Sequence, residues 1–291
     1  MKTEVFDERR NILGEGPQAT GPQNDLISWV DIMGKKVRSR NLTSGATSEF
    51  DTAEDVGFAI PRANGGYVVG EVSGPILLDV DGTKHALPNR ADADGYIPSQ
   101  VVRWNDAKVS PQGDLFLGSM AYDFKTNAGA LYQLRRDGKH IRRVFGDVSI
   151  SNGLGWSVDG SLMYYIDTPL FRVDIFDVEE RDIKNRRTFV DFPLDGGSPD
   201  GMCVDSDGNL WVAFWLGHAV RCYDGKSGVM IHEISCPAPR ITSCAFGGEK
   251  LDQLIITSAS EDTDLALFPK AGMTFIATPG VRGQKTAVFN A

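Results

Sequence analysis

The sequence predicts an all-β fold: a six-bladed β-propeller with four-stranded blades around a central channel. Three observations predict it. One strand–turn–strand pattern recurs six times along the chain, helical periodicity is almost absent, and 32 glycines and 14 prolines are scattered as punctuation instead of gathering into a linker. The competing architecture is a β-sandwich or a solenoid with irregular repeats.

The repeat is clearest in Ser157–Asp167 (SVDGSLMYYID), Val204–Ala213 (VDSDGNLWVA) and Ser110–Gly118 (SPQGDLFLG). Each has a polar turn ending in glycine, or in glycine and one more polar residue, then a Leu, then alternating aromatic and aliphatic residues, the grammar of a hairpin. Weaker copies stand at Pro22–Asp31, Ala63–Glu71 and Gly247–Ser258. Aligned on Leu26, Tyr67, Leu115, Leu162, Leu210 and Leu254, the copies lie 41 to 48 residues apart and account for the whole chain. Strand-rich repeats of that length read as propeller blades. A ring needs its ends joined, and the N- and C-terminal segments Thr3–Phe6 and Thr286–Phe289 both read as short strands, so they are expected to share a blade. Val178–Arg187 is charged enough to be expected as a long loop or one helical turn.

Composition narrows the partners. The 291 residues are 41% hydrophobic and 24% charged, with no change of character along the chain, so one domain spanning 1–291 is expected. The net charge of −9 and the lack of a basic run beyond Lys184–Arg187 argue against nucleic acid. No stretch approaches the about 20 apolar residues of a membrane helix, and Met1–Arg10 lacks the apolar core of a signal peptide. The four cysteines form no CxxC pair or disulfide framework, which fits free thiols in a cytoplasmic protein, monomeric or weakly homo-oligomeric.

Repetition also points to a site. Counting back ten residues from the alignment position, or eleven in the first copy, reaches Glu15, Gly57, Asn105, Asn152, Asp200 and Cys244. In a propeller these positions ring the axis near the start of each innermost strand. Four of them carry side-chain oxygen, a donor set suited to one hard divalent cation with coordination positions left for water or substrate. Taken singly, Asn152-Gly153 and Asp200-Gly201 are ordinary turn dipeptides; their shared repeat position favours the site.

Four motifs in order, LGEGP (Leu13–Pro17), RWNDAK (Arg103–Lys108), SNGLGW (Ser151–Trp156) and SPDGM (Ser198–Met202), resemble the regucalcin–gluconolactonase family, which includes luciferin-regenerating enzymes. The resemblance spans essentially the whole chain. It implies a six-bladed propeller, one divalent metal ion (Ca, Zn, Mg, Mn or Fe) held by Glu15, Asn152 and Asp200, and substrate contacts from Arg103 and Asn105. It further implies hydrolysis of a small sugar lactone, with Asp200 as general base. Tyr122 and Trp104 are expected to line the entrance. Ala107, Ser110 and the run Ala121-Tyr122-Asp123 depart from the family pattern, so the wall of the site is expected to differ. No nucleophile elbow or P-loop competes with this reading. Phosphotriester or aryl-ester hydrolysis on the same metal, or a metal-binding role without catalysis, remain its rivals.

Overall fold

A computed structural model describes residues 2–93 and 101–290. They form six antiparallel sheets of four strands arranged in a ring, the six-bladed propeller expected from the repeats. Blade 1 holds β2 (Gly14–Thr20), β3 (Leu26–Asp31), β4 (Lys36–Asn41) and β5 (Thr47–Asp51). Blade 2 follows with β6 (Val56–Pro61), β7 (Tyr67–Glu71), β8 (Gly74–Leu78) and β9 (Lys84–Ala86). Blade 3 is β10 (Val102–Val109), β11 (Leu115–Ala121), β12 (Gly129–Leu134) and β13 (Ile141–Val148). Blade 4 is β14 (Ser151–Trp156), β15 (Leu162–Asp167), β16 (Arg172–Glu179) and β17 (Asp182–Asp191). Blade 5 is β18 (Ser198–Val204), β19 (Leu210–Trp215), β20 (Ala219–Tyr223) and β21 (Met230–Ser235). Blade 6 runs β22 (Ile241–Gly247), β23 (Gln253–Ser258), β24 (Thr274–Ala277) and then β1 (Glu4–Asp7).

The repeated polar turns are the hairpins between the first two strands of a blade. In three of them the glycine amide closes a tight turn, with Gly113 on Ser110, Gly160 on Ser157 and Gly208 on Asp205 at 2.8–3.1 Å. These glycines sit at φ +87°, +72° and +89°, where a side chain is strained, so the motif demands glycine there. The apolar residues that follow fill the space between neighbouring blades. One such layer packs Phe58, Ile60, Trp104, Leu117 and Tyr132 between blades 2 and 3. Another joins Phe116, Leu154, Trp156 and Tyr165 between blades 3 and 4.

Two expectations about the chain are corrected. Ring closure is made by β1 pairing with β24, Glu4 opposite Ile276, and Thr286–Phe289 does not join that blade. Phe289 instead forms a parallel bridge to Arg62, with its amide on the Pro61 carbonyl at 3.0 Å. Its ring, fully buried, enters the blade 2–3 core layer. Likewise, Val178–Arg187 is neither loop nor helix but a β-hairpin between β16 and β17 turning at Glu180, whose φ is +54°. The outermost strand is mostly exposed, with only Ile183, Phe189 and Val190 partly packed on the core, so no regular apolar alternation marks it; ion pairs Lys184–Glu179 at 2.6 Å and Arg187–Asp177 at 2.8 Å span it instead.

Among the described residues no helix is long and apolar enough to cross a membrane. All four cysteines are free and buried.

Candidate active site at the channel mouth

The first strands of the six blades pack against one another around the ring, and each slips register against its second strand. The slips fall between Glu15 and Gln18, Val56 and Ala59, Trp104 and Ala107, Ser151 and Leu154, Pro199 and Met202, and Ile241 and Ser243. Such bulges re-aim side chains. Gly57, Asn105, Asn152 and Asp200 lie inside the slipped stretches, and Glu15 stands at the edge of its own. Cys244 does not belong to this set. In blade 6 the hairpin is two residues longer, Leu254 pairing with Phe246 where Leu210 pairs with Val204, so the ten-residue count stops at Cys244, two short of Thr242, the one residue inside the slip. The Cys244 thiol points into the core layer between blades 5 and 6, 3.6 Å from Cys203.

The two turn-like dipeptides are not turns. Gly153 and Gly201 are extended residues of β14 and β18, and a Cβ at either would collide with the adjoining blade, at the Asp200 carbonyl and at Ser243 respectively. Gly57 is small for the same reason, because a side chain there would strike the Trp104 carbonyl. Close approach of the inner strands, rather than turn conformation, selects these glycines.

An acidic residue at the end of the second strand holds each of two site-bearing strands in place, a feature sequence reasoning missed. Asp31 accepts the amides of Ile12 and Leu13 at 3.1 and 3.0 Å, just ahead of Glu15. Asp167 accepts those of Ser149 and Ile150 at 3.1 and 2.9 Å, just ahead of Asn152. The repeated Asp closing SWVD and YYID was its available signal.

Glu15, Asn105, Asn152 and Asp200 are all brought together and buried, with 4–7% of their surface exposed. The Glu15 and Asp200 carboxyls touch. Burial pushes Glu15 up to about 8, with the Asp106 charge adding to the shift. Burial, then Glu15 and then Asp106, likewise raise Asp200 well above the ordinary carboxylate range. Asp106, read from sequence as a turn or supporting residue, is thus a third buried carboxyl in the same field, itself raised by burial. Arg103 is the cation that partly offsets them.

The amides are oriented by chemistry. Asn105 donates Nδ2 to the Ser151 carbonyl at 2.7 Å and to Asn152 Oδ1 at 2.9 Å, and its Oδ1 accepts from Arg103 Nη1. Both amide hydrogens of Asn105 are therefore spent within the protein, and one oxygen lone pair is left for a ligand. Arg103 uses Nη1 on Trp104 O and Asn105, and among the described residues Nη2 and Nε take no hydrogen-bond partner. Tyr122, at 40% exposure, stands at the mouth and donates its hydroxyl to Asp55 at 2.7 Å. Trp104 does not line the entrance: it is fully buried, edge-on to Tyr132 at 5.4 Å. Other exposed apolar side chains, Phe124, Leu170 and Leu216, occupy the loops after β11, β15 and β19, so an apolar rim surrounds a polar floor.

At the other end the C-terminal segment crosses the ring, with Gly283 bridged to Asp205 and Gln284 donating to Trp156 O and Asp205 O. A cavity of about 220 Å³ there is walled by Gln18, Lys108 and Cys203 and floored by Gln284–Ala287. Lys108 donates to the Met202 carbonyl at 2.8 Å and is structural. A larger cavity of about 830 Å³ lies between blades 1 and 2, against Val37, Phe50, Tyr67 and Ile76. It meets none of the site residues.

The donor set fits a hard cation. Two apposed buried carboxylates carry more negative charge than Arg103 offsets, and the Asn152 oxygen keeps one lone pair beyond its bond from Asn105. Among the described residues no group of three or more His, Cys, Asp and Glu gathers to hold a metal, here or elsewhere, so the proposed donor set consists of two carboxyls and an amide oxygen. A testable consequence follows for pH. A carboxyl raised from 4.5 to about 8 holds its proton in the folded chain where the unfolded chain has released it. The folded state then binds more protons, so cation-free protein loses stability as pH rises from 4.5 towards 8. Thermal midpoints measured without divalent cations should fall over that interval, and Glu15→Gln should flatten the fall.

Comparison with known proteins agrees with this architecture. Residues 13–260 match the SMP-30/Gluconolactonase/LRE-like region family. Regucalcin of Danio rerio is 38% identical over 291 residues, covering 97% of this chain and 96% of its own. Regucalcin of Homo sapiens is 33% identical over 287 residues, covering 93% and 92%. Among solved structures, a calcium-binding protein, regucalcin, from Agrobacterium tumefaciens superposes with TM-score 0.91 at 26% identity, covering 100% of this chain and 98% of that one. A luciferin-regenerating enzyme superposes with TM-score 0.88 at 28% identity, covering 99% and 100%. With the matched region embracing all four ordered motifs, five whole blades and half of the sixth, this chain belongs to the SMP-30/gluconolactonase/LRE-like family.

Proposed function

We propose that this chain is a lactonase that opens a small sugar lactone to its hydroxy acid, dependent on one divalent cation held by Glu15, Asn152 and Asp200. The observation that carries the reading is the contact of two desolvated carboxyls beside an amide oxygen with a lone pair to spare, at the inner-strand starts of the ring. Family membership supports the reaction class, and the similarity to the calcium-binding regucalcin of Agrobacterium tumefaciens supports a cation. A divalent cation bound there neutralises the two carboxylates and polarises an ester carbonyl.

The chain's own groups do the rest. The free Nη2 and Nε of Arg103 donate to the lactone oxygens and fix the ring over the floor, which restricts its approach to one pose. Asn105 holds Arg103 in place and accepts from a ring hydroxyl through its remaining lone pair. Asp200 takes a proton from the attacking water as the water oxygen bonds to the carbonyl carbon. When the ring C–O bond breaks, that proton goes to the departing alkoxide, so water is added across one bond and nothing else is consumed.

Arg103→Ala should lower kcat/KM about 10- to 100-fold by removing these contacts, with cation affinity little changed. Asn105→Ala should differ, because its amide also supports Asn152. It should weaken the cation as well, and calorimetry on the two variants separates these effects.

The apolar rim favours a second substrate class, a lactone carrying an apolar substituent. One panel tests both: aldonolactones, alkyl-substituted lactones, an aryl ester and a phosphotriester, followed by acid release with chelator-stripped and cation-restored protein. Turnover of a lactone above its spontaneous hydrolysis, lost on stripping and regained with a cation, is the expected result. Phosphotriester cleavage with every lactone at the blank rate overturns the proposal, and cation binding without any turnover makes the chain a binding protein.

A further inference from the structure

We infer that Thr168 is a positioning residue that fixes the Asn152 amide so that its oxygen, and not its nitrogen, faces the site. The inference rests on the reading of Asn152 as a cation ligand. Thr168 directly follows Asp167 at the end of β15, and its own amide is held by the Ile150 carbonyl at 3.1 Å. Its hydroxyl lies 2.8 Å from the Pro199 carbonyl and 2.8 Å from Asn152 Nδ2. A carbonyl oxygen only accepts, so the single hydroxyl hydrogen goes to Pro199. What Thr168 then offers Asn152 is a lone pair, which only the NH2 end of an amide can use. Asn152 Oδ1 is thereby turned the other way.

The opposite side imposes the same answer independently. The Ser151 carbonyl, again only an acceptor, takes one hydrogen of Asn105 Nδ2, and the second points at Asn152 Oδ1. A donor on one flank and an acceptor on the other exclude the flipped amide, which would set NH2 against NH2 and oxygen against oxygen. The chain of bonds also crosses from blade 4 to blade 5 at the peptide just before Asp200. One hydroxyl thus sets the orientation of one proposed ligand and braces the strand that carries another.

The test compares Thr168→Val, which keeps the shape and removes the hydroxyl, with Thr168→Ser, which keeps the hydroxyl. Two readouts are taken on the intact protein. One is the side-chain amide NMR signal of Asn152, identified by its loss in Asn152→Asp. The other is calcium and manganese affinity by calorimetry. Thr168→Val should shift the Asn152 amide pair and weaken cation binding about 10- to 100-fold. Its turnover should recover at saturating cation with KM for the lactone unchanged, and Thr168→Ser should resemble the parent in every respect. Unaltered Asn152 signals in Thr168→Val overturn the orientation, and unaltered cation affinity in that variant overturns its role in the site. Should the parent protein bind no cation, the ligand reading fails by itself, while the amide signal still decides the orientation.

Discussion

Asp200→Ala is expected to abolish lactone turnover, with kcat falling about 10²- to 10⁴-fold from loss of the base alone. The same change takes away one of two carboxylates from the proposed cation site, so calorimetry should show no saturable divalent binding at concentrations that fill the parent. A folding defect would produce the same inactivity, and stability separates the two. Asp200 and Glu15 are buried against one another with Asp106 close by, an arrangement that costs the cation-free protein stability. Asp200→Ala and Asp200→Asn should therefore raise the thermal midpoint of cation-free protein while removing the midpoint increase that a cation gives the parent. A cation-free midpoint below the parent's, together with intact cation binding, would sink the assignment of Asp200.

Phe289→Ala is the second large effect. This residue lies in the C-terminal segment, where truncations are usually tolerated, yet its ring is fully buried with Phe58, Ile60 and Trp104. Emptying such a site costs about 3–5 kcal/mol. The segment leading to it is tied down along its length. Gly283 pairs with Asp205 and donates to Leu251 O at 2.7 Å, and Gln284 reaches Trp156 O at 3.2 Å and Asp205 O at 3.3 Å. The strap therefore crosses the channel floor from blades 5 and 6 to blade 2. Denaturant unfolding should show Phe289→Ala with a markedly lower midpoint. An exposed control, Val80→Ala at 83% exposure, should leave the midpoint near the parent's.

The site was legible in sequence to the extent that rotational repetition made it so. Glu15, Asn105, Asn152 and Asp200 stand at nearly the same distance before an easily recognised Leu or Tyr, and the ring geometry turns equal spacing into spatial convergence. Cys244 shows the limit of that argument. Two extra residues in the hairpin between β22 and β23 shift the count from Thr242 to Cys244, whose side chain lies in the core. Trp104 fails for a related reason: adjacent to Arg103 and Asn105 in sequence, it points the opposite way because strand neighbours alternate.

What the sequence by itself determined is the repeat. Glycine at positive φ in the hairpin turns, aliphatic and aromatic alternation after it, and six copies at near-constant spacing are local properties, each written within one blade. The polar ring follows from the same repetition, and the family from four local motifs in order. Only the tertiary structure decided what depends on contacts between blades. These are the glycines at 57, 153 and 201 excluded from bearing side chains by the next strand, the hydroxyl of Thr168 bridging blades 4 and 5, and the three buried carboxyls sharing one field. The C-terminal strap belongs with them. Its apolar residues fit a strand edge as well as a core layer, and only the closed ring offered Phe289 a cavity between blades while leaving β24 to pair with β1.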